Sequence, residues 1–126
     1  MEAKSQNQTK KIMIVDDDPD ILNSLQILFK MRDFEVVTVD NGRKCLQELE
    51  KGFKGIIILD IIMPVMNGIE TIKNMIIEGF TEGNTIIVLT AKKFQGEEFD
   101  EIYHHIYEYV QKPFDIGKLI ATVEKI

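Results

Sequence analysis

Short apolar runs alternate five times with segments that have the periodicity of helices, and this alternation is the strongest constraint on the fold. The first run, residues 12–15, is continuously apolar and ends in acids. A strand covered by protein on both faces has this pattern. The other runs are residues 34–39, 55–59 and 85–89, with a shorter and more aromatic one at 107–110. Strands that alternate with helices predict an α/β fold, with a parallel sheet, right-handed crossovers and helices on both faces.

The segments between the runs carry apolar residues at i, i+3 and i+4, as helices with one buried face do. The first segment follows Pro19, which suits an initial helical turn. In the third, Asn67 is the predicted N-cap, Glu70 completes a capping box, and Gly79 lies where the chain leaves the helix. The second helix is predicted around residues 46–49, a weaker fourth at 97–106, and a stronger fifth from 115 to the end.

Composition and length predict one domain. The 126 residues suffice for a core without a disulfide, and the single Cys45 is expected to be an inert small side chain. The formal net charge of -6 argues against nucleic acid as a partner, because phosphates are bound by clustered Lys and Arg. No apolar run approaches the roughly 20 residues of a membrane span. We therefore expect a disordered polar leader at 1–10, one domain at 11–126, no membrane contact and a cytoplasmic location.

Polar side chains follow four of the predicted strands. Asp16 and Asp17 come after the first strand, Asp60 after the third, Thr90 after the fourth, and Lys112 after the fifth. Functional residues of open parallel sheets collect beyond the carboxyl ends of the strands. We therefore expect these side chains to lie at one edge of the sheet.

Clustered carboxylates at such an edge repel one another unless a cation joins them. Mg²⁺ prefers carboxylate, carbonyl and water oxygens, and a substrate phosphate often completes its coordination. A carboxylate beside a phosphoryl group can act as a nucleophile and form an aspartyl phosphate. Lys112 would then place a positive charge near a phosphoryl oxygen, and the Thr90 hydroxyl would donate one hydrogen bond.

Four motifs at these strand ends resemble a known family, the receiver domains of two-component response regulators. The resemblance covers the chain from residue 11 onward. The matching motifs are IVDDDPD at 14–20, LDIIMP at 59–64 with MNG at 66–68, VLTA at 88–91, and YVQKPF at 109–114.

This resemblance implies a single five-stranded, doubly wound sheet of flavodoxin-like order 2-1-3-4-5 with five helices. It also implies that Asp60 is the phosphoacceptor, with Mg²⁺ bound directly by Asp17 and Asp60. Asp16 would help through water, and Ile62 would contribute its backbone carbonyl. Gly68 resembles the small residue that lets the loop after Asp60 enter the third helix.

The same resemblance implies a switch. Thr90 would move toward the phosphoryl group, and Tyr109 would follow it inward. Lys112 would pair with the phosphate, and the peptide bond between Lys112 and Pro113 would be cis. The partners implied are a sensor histidine kinase or a phosphotransfer protein, and an unknown downstream protein. The chain would catalyse only its own phosphorylation and dephosphorylation. Because it stops after the fifth helix, we expect no output domain in it, whether it acts alone or belongs to a longer protein.

Three departures from the family pattern bear on function. Residues 103–107, Tyr-His-His-Ile-Tyr, stand where family members usually carry a Gly-Ala pair, so the output face is expected to be unusual. Ile62 cannot orient a hydrolytic water by a side-chain hydrogen bond, and Lys92, two residues after Thr90, is long and charged. We therefore expect a phosphoryl group that lasts longer than in relatives with polar side chains at these positions.

Other classes of function fit less well. A metal-dependent phosphatase with an aspartyl nucleophile needs a second acid at the position of Ile62. A flavin carrier needs a phosphate-binding loop after the first strand, where Asp16, Asp17 and Asp18 would repel the phosphate. A calcium loop needs Gly where Ile21 stands. A receiver-like scaffold that binds proteins without being phosphorylated remains an open alternative.

Overall fold

A computed structural model describes residues 10–63, 65–91 and 96–126 of the chain. Within these ranges, five parallel strands form one sheet in the order β2-β1-β3-β4-β5. The predicted fold class and strand order are therefore confirmed. The strands are β1 (Lys11–Val15), β2 (Glu35–Val39), β3 (Ile56–Asp60), β4 (Thr85–Thr90) and β5 (Glu108–Gln111).

Helices connect the strands, and most begin at a polar cap. Asp18 caps the first helix by accepting a hydrogen bond from the Asp20 amide, and Asn67 forms the predicted capping box with Glu70. Gly79 ends the third helix with φ 78°, a left-handed conformation that costs glycine little. The helices are α1 (Pro19–Met31), α2 (Gly42–Glu50), α3 (Gly68–Glu78), α4 (Glu97–Ile102) and α5 (Ile116–Glu124).

The sheet separates two apolar layers. On one face, α1 and α5 pack through residues such as Phe29 and Leu119. On the other face, α2, α3 and α4 pack through residues such as Leu49, Ile72 and Ile102. All five residues of β3 are buried, as expected for a central strand covered on both sides. This burial holds the end of β3 in a fixed position.

The structure differs from the sequence-based expectations at several boundaries. The α-helical part of the predicted fourth helix ends at Ile102, and a 3₁₀ turn follows at Tyr103–His105. Aromatic residues lose side-chain freedom in a helix, and β5 begins only three residues further on. Lys10, which we assigned to the leader, accepts a hydrogen bond from the Glu35 amide at 2.8 Å. Residues 1–9, Pro64 and Lys92 lie outside the described residues, and the division into leader and domain stays a prediction.

None of the described helices combines the length and the apolar content that crossing a bilayer requires.

Candidate functional site

The site is built on the adjacent ends of β1 and β3. The strand register pairs Val15 with Leu59, so the following residues, Asp16 and Asp60, lie side by side at the carboxyl edge. Asp16 is completely buried, and Asp60 is only 5% exposed. Two carboxylates are thus held out of water next to each other, which is costly unless they bind a cation.

Asp17 completes an acidic cluster at this edge. It is exposed, unlike Asp16 and Asp60. Each of the three residues offers one carboxylate oxygen, and these oxygens all lie within 4.8 Å of one another. The cluster therefore has two buried acids and one acid that faces solvent.

Lys112 reaches into the cluster from the end of β5. Its Nζ donates to Asp16 Oδ2 at 3.1 Å and to Asp60 Oδ2 at 3.2 Å. The Lys112 amide donates to the Thr90 carbonyl at 2.7 Å, which fixes the backbone at this position, and the bond to Pro113 is cis. One ammonium group therefore bridges two carboxylates from two other strands.

Burial and charge shift the pKa values in the pocket. Burial, and secondly the negative charge of Asp16, raise the pKa of Asp60 above its ordinary value, although Lys112 opposes both effects. For Lys112, burial acts to lower the pKa, but the hydrogen bonds and charges of Asp16 and Asp60 outweigh it, so the pKa is raised. Lys112 therefore stays charged at neutral pH, and the pocket would readily accept more positive charge.

Backbone amides orient the two buried carboxylates. The Asp18 amide donates to Asp16 Oδ1 at 2.9 Å, and the Ile62 amide donates to Asp60 Oδ1 at 3.2 Å. The loop after Asp60 packs closely against the start of α3, since a Cβ on Gly68 would lie 2.5 Å from the Asp60 carbonyl oxygen. Glycine is therefore required at position 68, as the sequence indicated.

Thr90 and Tyr109 lie on the neighbouring strands β4 and β5. Thr90 ends β4 and is 4% exposed. Tyr109 is half-buried on β5, where its ring contacts that of Tyr103 with centroids 5.8 Å apart. The Ile62 side chain lies at the rim, 53% exposed. The structure thus brings Asp16, Asp17, Asp60 and Lys112 together, and backbone hydrogen bonds tie Ile62 to Asp60 and Thr90 to Lys112.

A mostly apolar depression beside Lys112 was not anticipated from the sequence. It has a volume of about 510 Å³ and lies between α1 and the segment that follows β5. Asp20 and Ser24 are four residues apart and therefore lie on one face of α1. This spacing was the sequence signal that could have indicated the depression. The lining includes Asp20, Ser24, Ala91, Lys112, Phe114 and Ile116.

The comparisons with known proteins agree with this geometry. The model of the response regulator receiver domain family matches residues 12–124. The chain belongs to this family, and it is a receiver domain of the two-component type with an acidic cluster at its carboxyl edge.

Individual relatives resemble the chain over nearly its full length. A CpxR homolog of Haemophilus influenzae, called a transcriptional regulatory protein, is 33% identical over 119 residues, which is 92% of this chain and 49% of that protein. PhoP of Bacillus subtilis, called an alkaline phosphatase synthesis transcriptional regulatory protein, is 32% identical over 93% of this chain and 48% of its own length. The chain therefore spans about half the length of these relatives.

Solved structures give the same result. A CheY-like receiver domain protein from Methanospirillum hungatei superposes with a TM-score of 0.84 at 32% identity, covering 92% of each chain. TrrA from Thermotoga maritima, crystallised with Mg²⁺ and BeF, superposes with a TM-score of 0.78 at 30% identity, covering 93% of this chain and 98% of that one.

Proposed function

We propose that this receiver domain accepts a phosphoryl group on Asp60 from a phosphohistidine of a sensor histidine kinase or a phosphotransfer protein. The observation that carries the proposal is the double contact of Lys112 Nζ, 3.1 Å from Asp16 and 3.2 Å from Asp60. A fixed ammonium group at the acceptor carboxylate is suited to bind a phosphoryl oxygen. The acidic cluster beside it is suited to bind the metal ion that such a transfer needs.

The donor set fits Mg²⁺. Asp17 and Asp60 would bind the ion directly, Asp16 through water, and Ile62 through its backbone carbonyl. The three carboxylate oxygens within 4.8 Å of one another are hard ligands of the kind Mg²⁺ prefers, and Asp17 leaves the site open to solvent. When bound, the ion supplies positive charge that offsets repulsion between the carboxylates and a phosphoryl group.

The residues of the chain then have separate roles in the transfer. A carboxylate oxygen of Asp60 attacks phosphorus, the bond from phosphorus to the histidine nitrogen breaks, and the imidazole keeps the electron pair. Lys112 neutralises charge on a phosphoryl oxygen, and its raised pKa keeps it protonated throughout. Ionised Asp60 is the reactive form, and Lys112 favours that form against burial and Asp16.

Phosphorylation would then shift a conformational equilibrium. The phosphoryl group carries more charge and more acceptor oxygens than a carboxylate, so it favours the conformation in which Thr90 and Lys112 contact it. Tyr109 would move inward with Thr90 and alter the face formed by α4, β5 and α5. This face would bind the downstream protein, and the chain would catalyse only its own phosphorylation and dephosphorylation, in the cytoplasm.

Incubation with acetyl phosphate and Mg²⁺, followed by intact mass measurement, tests the proposal. We expect the wild type to gain the mass of one phosphoryl group and Asp60→Asn to gain none. Asp33→Asn is the matched control, because Asp33 is exposed and its left-handed backbone, φ 67°, also suits Asn. It should gain as much mass as the wild type. A wild type that gains no mass would favour a scaffold that binds proteins without phosphorylation.

A further inference from the structure

A groove with aromatic walls lies between the end of α4 and the start of β5, and we call it the α4–β5 groove. It has a volume of about 430 Å³. The 3₁₀ turn and the first residues of β5 supply its lining, which includes Tyr103, His104, Tyr107, Glu108 and Tyr109. All three tyrosines of the chain therefore line this one groove.

The rings in the α4–β5 groove are accessible and also held in place. Tyr103 is 51% exposed and Tyr107 is 52% exposed. The Tyr103 ring meets the His104 ring edge to face with centroids 5.6 Å apart, and it meets the Tyr109 ring at 5.8 Å. The Tyr107 amide donates to the Ile86 carbonyl on β4 at 2.8 Å, which ties this backbone to the sheet. A ligand that stacks on these rings therefore has little side-chain motion to arrest.

The charge around the groove is negative. Glu108 lines the groove and is exposed. Helix α4, which leads into the 3₁₀ turn, carries exposed acids at Glu97, Glu98 and Asp100. Asp100 lies three residues before Tyr103, a spacing that places two side chains on the same side of a helical segment. A ligand of this groove should consequently bring positive charge.

Arginine is the cationic side chain that suits such a groove best. Its guanidinium group is planar and stacks on aromatic rings, and it can donate two parallel hydrogen bonds to one carboxylate. Lysine offers a compact and strongly hydrated charge without the planar surface. A guanidinium group stacked on Tyr103 or Tyr107 and hydrogen-bonded to Glu108 would use both the rings and the charge of the groove.

We propose that the α4–β5 groove binds an arginine-bearing segment of the downstream protein. This inference rests on the proposed function in one respect, since it takes that protein to be the partner of the face formed by α4, β5 and α5. Tyr103 and Tyr107 supply the stacking surface, and Glu108 accepts hydrogen bonds from the guanidinium group. The exposed acids of α4 attract the segment over a longer range, so binding weakens as salt rises.

Fluorescence anisotropy with labelled peptides tests the proposal. The probes are Gly-Ser peptides that are identical except for a pair of arginines, a pair of lysines or a pair of glutamines. We expect the wild type to bind the arginine peptide about two- to fivefold more tightly than the lysine peptide, because the guanidinium group stacks better on the rings. The glutamine peptide, which has no charge, should bind most weakly.

Variants of the groove separate the rings from the charge. Tyr103→Ala should weaken binding of the arginine peptide about two- to fivefold, whereas Tyr103→Phe keeps the ring and should bind like the wild type. Tyr107→Ala removes a second ring and should act like Tyr103→Ala. Glu108→Gln should also weaken binding, about two- to fivefold. Glu50→Gln is the matched control and should change nothing, because Glu50 is exposed at the end of α2, which packs on β1 and β2.

Equal affinity for the arginine and lysine peptides would overturn the proposal. Wild-type affinity in Glu108→Gln, or in both alanine variants, would overturn it as well. Intact mass after treatment with acetyl phosphate and Mg²⁺ is measured on the same samples. A wild type that gains the phosphoryl mass but does not prefer arginine would overturn this inference alone. A wild type that prefers arginine but gains no mass would overturn the proposed function and support the groove as an arginine-binding surface.

Discussion

The Nζ of Lys112 lies 3.2 Å from Oδ2 of Asp60, although the two residues are 52 positions apart in the sequence. The same nitrogen is 3.1 Å from Asp16, so one lysine joins the ends of β1, β3 and β5. This arrangement balances the charge of two buried carboxylates and also places a cation beside the candidate phosphoacceptor. Stability and function are therefore coupled in the pocket.

Lys112→Met should destabilise the protein without Mg²⁺ by about 1–3 kcal/mol, because two buried carboxylates lose a hydrogen-bonded cation. Lys44→Met is the matched control. Lys44 pairs with Asp40 at 3.0 Å on the surface, where an ion pair contributes about 0.2–1 kcal/mol. Urea unfolding at neutral pH measures both losses. Equal losses would show that the Lys112 contacts contribute no more than a surface ion pair.

Mg²⁺ should raise the melting temperature, because the proposed site on the folded acidic cluster would bind it and the unfolded chain would not. At ten times the dissociation constant the gain is about 1.4 kcal/mol, or about 5 °C for a domain of this size. Asp17→Asn should reduce the response and make the metal-free protein somewhat more stable. Asp33→Asn should keep the full response. Thermal unfolding with and without millimolar Mg²⁺ measures the effect, and a full response in Asp17→Asn would exclude Asp17 as a ligand.

The raised pKa of Asp60 makes stability depend on pH. Burial, then the charge of Asp16, raises this pKa against the opposing effect of Lys112. The folded protein therefore binds the Asp60 proton more tightly than the unfolded chain does. The contribution of Asp60 to stability is greatest below its unfolded pKa of about 3.9, and it is lost as pH rises through the folded value.

Asp60→Asn should consequently stabilise the metal-free protein at neutral pH, since it removes a charge that the pocket disfavours. The gain in melting temperature should shrink as pH falls toward about 4, where the wild-type carboxyl takes up a proton. Asp33→Asn, on the surface, should show no such pH-dependent gain. A gain in Asp60→Asn that is independent of pH would contradict this explanation.

Gly68→Ala should destabilise the protein by about 1–3 kcal/mol, because the new Cβ would lie 2.5 Å from the Asp60 carbonyl oxygen and 2.7 Å from Ile61 Cα. Both neighbours are backbone atoms and cannot move aside cheaply. Gly117→Ala, in α5, should stay within about 0.5 kcal/mol of the wild type, since its Cβ would meet only a side-chain oxygen of Asp115. Equilibrium unfolding compares the two variants. A neutral Gly68→Ala would show that the loop after Asp60 adjusts freely.

Ile62→Asn should shorten the lifetime of the phosphoryl group. The Ile62 side chain is at the rim of the pocket and cannot orient a hydrolytic water. A side-chain amide there would hydrogen-bond to that water and raise the rate of dephosphorylation about fivefold. Ile77→Asn, an equivalent change at an exposed position of α3, is the control and should have no effect. Loss of the phosphoryl mass with time, after acetyl phosphate is removed, gives the rate. Fast decay in the wild type, unchanged in Ile62→Asn, would reject the prediction.

The sequence was most informative where local pattern and topology act together. Continuous apolar runs predicted the strands, and parallel strands bring their carboxyl ends to one edge. The convergence of Asp16, Asp60 and Lys112 therefore followed from the sequence. Asn67 was equally readable as a helix cap, because capping depends on residues within one turn.

Features that depend on tertiary contacts were not readable in this way. The contact between Tyr103 and Tyr109 arises because a 3₁₀ turn replaces the last turn of the predicted fourth helix. Val65 has φ 70°, a conformation that is rare for a β-branched residue and that no local pattern predicts. The bridge from Lys112 to both carboxylates also required coordinates, since the sequence indicated only a partner for phosphate.

Locating the phosphoryl group tests the central claim most directly. Borohydride reduces an aspartyl phosphate to homoserine, so fragmentation of the peptides after treatment with acetyl phosphate, Mg²⁺ and borohydride identifies the modified residue. We predict conversion at Asp60, dependent on Mg²⁺, with Asp16 and Asp17 left intact. Conversion at Asp16 or Asp17, or no conversion of any aspartate, would contradict the account.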